Sequence, residues 1–129
     1  MEIKGLDGKP YKLKLKRKTL SKQSAPHKRA FSILRELYPH SLIYEEVKIP
    51  GSKLRIDLYM PSENLAVEVQ GEQHEEYNPH FHKNKMGFVL SKKRDLDKKK
   101  WCELNHITLV RLYKNDDWHE KLRRENWSD

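Results

Sequence analysis

Cysteine is almost absent from this chain: Cys102 stands alone, so no intrachain disulfide can form. That fits a reducing compartment. Long apolar runs are missing too, with nothing near the ~20 residues that cross a bilayer and no apolar core of a secretory signal at the N-terminus. The expectation is a soluble, cytoplasmic protein that makes no use of a membrane. No internal repeat and no Gly/Ser-rich or Pro-rich linker divides the sequence, and 129 residues leave room for one core and one active site. Hydrophobic and charged residues each make up 36%, which predicts a thin core under a heavily solvated surface. Apolar stretches such as 107-ITLV-110 still read as buried strand, so the chain as a whole is not expected to be disordered.

Charge is present in excess and unevenly placed. The net charge is +8. Residues 1–30 hold ten Lys or Arg against Glu2 and Asp7, so this stretch accounts for the whole surplus. Such a block attracts polyanions by neutralising phosphates and releasing their counterions; it is equally compatible with a solvated basic tail. In 11-YKLKLKRK-18 the apolar Tyr11, Leu13 and Leu15 alternate with lysines, the period of a strand or extended arm with one basic edge. Residues 1–22 are read as a basic arm and 23–129 as the folded domain.

Within that domain, Ser24 and Pro26 signal a helix start, and Phe31, Leu34, Leu37 and Tyr38 recur at helical spacing until Pro39. Strands are predicted around residues 43–49 and 53–60, separated by the Pro50-Gly51 turn, and around 65–70 after the turn 61-PSEN-64. A polar, His-rich loop to about Gly87, a helix from Ser91 to Glu103, a strand over 107–113 and a short helix with Trp118 and Leu122 follow. The predicted order is α-β-β-β-α-β-α, a mixed four-stranded sheet flanked by helices. Trp101, Trp118 and Trp127 are assigned to the core.

If 61-PSEN-64 is a four-residue hairpin loop, cross-strand partners have residue numbers that sum to 125. Met60–Leu65, Leu58–Val67 and Ile56–Val69 then share one face, and Tyr59–Ala66, Asp57–Glu68 and Arg55–Gln70 the other. A slip of one residue would destroy this segregation. Asp57 and Glu68 therefore become neighbours. Two carboxylates facing each other on a sheet repel, so something should compensate: Arg55, or a divalent cation with hard oxygen ligands.

Asp57, ten intervening residues and 68-EVQ-70, after a helix bearing Glu36, resemble the PD-(D/E)xK nuclease superfamily. The longer segment 68-EVQGEQH-74, the pair Arg94-Asp95 in a helix and the strand 107-ITLVRLY-113 are similar to the branch of very-short-patch repair endonucleases. The resemblance covers about residues 30–113. It implies a restriction-endonuclease-like fold and a metal-dependent DNA endonuclease, with Mg²⁺ as the default ion and Mn²⁺ as an alternative. Asp57, Glu68 and the carbonyl of Val69 would hold the metal. Gln70 stands where the superfamily usually has lysine, and Lys98 or Lys99 could supply the missing cation. His74 and Asp95 would assist proton transfer, and Glu36 matches the first-helix acid of many members.

DNA is the expected partner, with Lys12, Lys14, Lys16, Arg17 and Lys18 of the arm and Lys93, Arg94 and Lys98 of the second helix as phosphate contacts. The alternative is a non-catalytic nucleic-acid-binding module on the same scaffold, favoured by the missing lysine. His74, His80, His82, Cys102 and His106 have poor spacing for zinc. Monomer and homodimer both stay open, as does the kind of DNA target.

Overall fold

The computed structural model describes residues 2–13, 15, 24–71 and 85–127, and its elements follow the predicted order after an N-terminal hairpin. The chain is a mixed α/β domain built on a four-stranded sheet. Helix α1 (Ala25–Leu37) begins as expected: the Ser24 side chain accepts a hydrogen bond from His27 N at 3.3 Å, and Pro26 lies in the first turn. Ala30, Ile33 and Leu34 form its buried stripe.

Strand β3 (Tyr44–Lys48) pairs antiparallel with β4 (Arg55–Met60), and β4 with β5 (Leu65–Gly71). The β4–β5 connection is a short 3-10 turn over Pro61–Glu63 closed by Asn64 in the left-handed region, φ 50°. Its register is the expected one: Met60 faces Leu65, Tyr59 faces Ala66, and Leu58 faces Val67. Helix α2 (Lys85–Leu104) then carries the chain to β6 (Thr108–Tyr113), which runs parallel to β5, and α3 (Trp118–Leu122) closes the fold. The strand order is β3-β4-β5-β6.

Helix α2 starts six residues before the expected Ser91, and so takes in residues 85–87 of the predicted loop. The polar, His-rich composition up to Gly87 reads as loop, yet one glycine costs a helix only about 1 kcal/mol. The tertiary anchor lies at the other end, where Trp101 and Cys102 are buried.

The hairpin does not divide into an apolar and a polar face, because helices cover both sides of the sheet. On one side Leu58, Met60, Leu65, Val67, Val110 and Leu112 pack with α1 and with Trp118 and Leu122 of α3. On the other, Tyr59 and Ala66 join Trp101 and Cys102 beneath α2, with Val47, Ile49 and Ile56. Ile56 therefore sits with Tyr59 and not with Leu58, against the simple alternation. Strand β3 breaks its alternation at the same level, at Glu46, whose φ of 52° lies in the left-handed region, between the pairs Glu45–Leu58 and Val47–Ile56. A left-handed residue inside a strand turns the following side chains out of phase.

The expected arm is not free over residues 2–13. Strands β1 (Glu2–Lys4) and β2 (Pro10–Lys12) form a hairpin that buries Ile3 and Leu13 in the α2-side core, and Trp101 Nε1 donates to Lys4 O at 2.8 Å. Lys12 points to solvent. Lys14, Lys16, Arg17 and Lys18 lie outside the described residues.

Candidate metal centre

Five elements, α1, β3, β4, β5 and α2, converge beside the point where the β4–β5 ladder ends. The last paired residues are Leu58 and Val67, and Asp57 and Glu68 are one step beyond them. Here Val69 N–H donates to Asp57 Oδ2 at 2.8 Å instead of to a strand carbonyl. Asp57, Glu68 and Val69 thus lie together at this end of the hairpin.

Glu68 is only 2% exposed. From α2, one turn beyond Asp95, Lys98 places Nζ 2.7 Å from Glu68 Oε1. The approach is an ion pair more than a directed bond, because among the described residues that oxygen meets no donor of good hydrogen-bond geometry. Burial first, then the hydrogen bond and charge of Asp57, push the Glu68 carboxyl up to about 8, and Lys98 opposes this without prevailing. Without a further cation, Glu68 holds its proton at neutral pH.

A second group adjoins Asp57. His27 of α1, Glu46 of β3 and Asp57 each present one ligand-type atom, all within 4.8 Å of one another. His27 is buried, and its Nε2 lies 2.7 Å from Oε1 of Glu45, itself 3% exposed. The sequence reading passed over His27, Glu45 and Glu46. Counting β3 against β4 from the Pro50-Gly51 turn, where observed partners sum to 103, would have set Glu46 opposite Asp57.

Other expected residues fall elsewhere. Glu36 is a correction: its carboxylate is 71% exposed and stands 3.6 Å from His119. Nine residues separate it from His27, about two and a half helical turns, so it emerges on the opposite face and about 13 Å along the axis. Glu36→Gln should therefore leave the site untouched, and a loss of more than about twofold in any site-dependent activity would contradict this placement. Arg55 is exposed and donates to Glu46 O at 3.3 Å; Lys98 fills the compensating role instead. Gln70 is half-buried at the end of β5.

Asp95 is partly exposed on α2, and its backbone carbonyl accepts from Arg111. Lys93 is exposed and lies 3.9 Å from Asp97, and Arg94 is exposed. Lys98 is committed to Glu68, so its ammonium is not a free phosphate contact. Cys102 is buried and its thiol is pushed up to about 12, mainly by burial, which makes it a packing residue and not a thiolate ligand. His74, His80 and His82 lie outside the described residues.

An α/β domain with a mixed four-stranded sheet and a carboxylate-rich centre beside its central hairpin is the class that fold and site define. No protein-family model matches the chain, and no solved structure matches it. It is similar to Uncharacterized protein 307L of Invertebrate iridescent virus 6, 44% identical over 59 residues, 46% of this chain and 30% of that protein. With Uncharacterized protein 033L of Invertebrate iridescent virus 3 it shares 36% identity over 64 residues, 50% of this chain and 33% of the relative. The chain spans about a third of the length of these curated relatives. Both names are silent on chemistry.

Proposed function

We propose that the chain is a metal-dependent DNA endonuclease with a restriction-endonuclease-like fold, hydrolysing a phosphodiester bond beside Asp57 and Glu68. One observation carries this reading: a buried Glu68 set against Asp57, with Lys98, among the described residues, as the ammonium at the pair. One ammonium does not suffice to let both acids ionise in this desolvated place, and hard oxygen donors of this kind suit a divalent ion that would favour the ionised Glu68. Asp57, Glu68 and the Val69 carbonyl would hold it, with Mg²⁺ as the default and Mn²⁺ as the alternative. Bound there, the ion would supply an activated water and stabilise charge on the phosphate.

The chain's own residues prepare this chemistry. The Val69 N–H fixes the rotamer of Asp57, leaving Oδ1 for a ligand. Lys98 holds Glu68 from the helix side, and its charge would serve in place of the superfamily's strand lysine. Gln70 can orient a water or donate to a phosphate oxygen. Exposed Lys93 and Arg94 on α2 and Lys12 on β2 offer phosphate contacts that would position DNA without reading its sequence.

Gln70 in the lysine position favours the rival reading, a DNA-binding module without catalysis; Lys98 beside Glu68 weighs against it. Purified protein should nick supercoiled plasmid with Mg²⁺ or Mn²⁺, and excess EDTA should stop the reaction. DNA binding without nicking in either ion would sink the enzyme and leave the module.

A further inference from the structure

We infer that His27, Glu46 and Asp57 form a metal site of their own, which takes a first-row transition ion such as Mn²⁺ in preference to Mg²⁺. The site shares Asp57 with the centre proposed above and rests on that reading only for its role in cleavage. Its ligands come from three elements: the first turn of α1, β3 and β4.

The geometry fits one ion. Donors at about 2.1 to 2.2 Å from a cation lie about 3 Å apart when adjacent and about 4.4 Å apart when opposite. A set already within 4.8 Å needs little closure. Asp57 can serve both groups, since Oδ2 is engaged by the Val69 N–H and Oδ1 is not used by that bond.

The imidazole is prepared for ligation. Glu45 is buried at 3% exposure and lies 2.7 Å from His27 Nε2. In the tautomer whose Nε2 donates to this carboxylate, Nδ1 keeps the lone pair that binds a metal. A carboxylate behind a histidine is the arrangement that fixes the tautomer and ring orientation of metal-bound imidazoles and raises their basicity. Glu45 is thus a positioning residue, which gives a reason for a carboxylate buried in a thin core.

Glu46 is placed by its backbone. Its left-handed φ of 52° interrupts the strand alternation at the point where its side chain joins His27 and Asp57. Non-glycine residues hold that conformation only where the surroundings enforce it.

The donor set decides the ion. Mg²⁺ and Ca²⁺ take oxygen ligands, and an imidazole nitrogen in the sphere shifts preference toward transition ions. Oxygen donors alone would fit Mg²⁺ at Asp57 and Glu68; His27 changes the balance on the other side of Asp57.

The test uses the full chain and Mn²⁺ as the probe, with binding read by loss of the free-ion electron paramagnetic resonance signal. Wild type should bind Mn²⁺ and retain it in a hundredfold excess of Mg²⁺. His27→Gln and Glu46→Gln should each weaken Mn²⁺ binding tenfold or more, and pulsed spectra should show nitrogen coupling in wild type that His27→Gln removes. Should His27→Gln fail to fold, Glu46→Gln at a partly exposed position carries the same test, with circular dichroism melts alongside. Equal Mn²⁺ affinity in wild type and both variants, or no nitrogen coupling in wild type, overturns the site. So does loss of binding in Glu68→Gln alone, which would place the ion with Asp57 and Glu68 and leave the cleavage reading intact. Conversely, His27-dependent Mn²⁺ binding in a protein that cleaves no DNA would uphold this site and remove the nuclease.

Discussion

Asp57→Asn and Glu68→Gln are each expected to reduce plasmid nicking about a thousandfold or more while the protein stays folded and still binds DNA. The size follows from what each residue is asked to do. A metal-held nucleophile and its charge stabilisation contribute several kcal/mol, and each 1.4 kcal/mol is tenfold in rate. Folding should survive, because the asparagine side-chain oxygen can still accept the Val69 N–H bond made by Asp57, and either change relieves repulsion between the two acids. Lys98→Gln should lower the rate by a smaller factor, about ten- to a hundredfold, since it removes a charge beside the centre and no metal ligand. Single-turnover nicking, with gel-shift binding on the same samples, separates chemistry from affinity. Cleavage by both acid variants at the wild-type rate would remove Asp57 and Glu68 from the site.

Asp57 and Glu68 could be paired from sequence because a hairpin with a four-residue loop obeys one counting rule, and apolar residues on Leu58, Met60, Leu65 and Val67 fix its register. Helix α1 was legible for a similar reason: Ser24, Pro26 and the apolar stripe each speak to the same boundary. The second half of the centre was hidden by the backbone itself. A left-handed Glu46 breaks the period-two pattern on which strand reading depends, and His27 reaches Asp57 only through tertiary packing of α1. The family resemblance matches Glu36 to the acid of the first helix, but helical phase turns it toward His119 and away from the centre. The burial of Tyr59 and Ala66 was hidden as well, because α2 is anchored by Trp101 and Cys102 in its last turns and carries little apolar period elsewhere.

Stability of the metal-free protein should fall as pH rises from about 5 to 9, and Glu68→Gln should abolish most of that fall. The sign follows from where the proton is held. An unfolded glutamic acid loses its proton near 4.5, whereas folded Glu68 keeps it up to about 8, because burial and Asp57 both disfavour the charge. Below 4.5 both states are protonated and Glu68 carries no penalty. Between the two values the folded state binds the extra proton, so each step up in pH favours unfolding; above about 8 the penalty is complete. The full difference is on the order of 3 to 5 kcal/mol, or a shift of about 10 °C or more in melting temperature for a domain of this size. Glutamine fills the same volume and cannot ionise, so the difference between wild-type and Glu68→Gln melts, taken in EDTA across this range, isolates the one carboxyl. Adding a divalent ion at pH 8 should restore the wild type, since a cation at Asp57 and Glu68 favours the ionised form, and should do much less for the variant. Parallel pH profiles for the two proteins would show that Glu68 ionises as freely when folded as when unfolded. Its charge would then already be compensated within the folded protein, and the physical ground for a divalent ion at this pair would be gone.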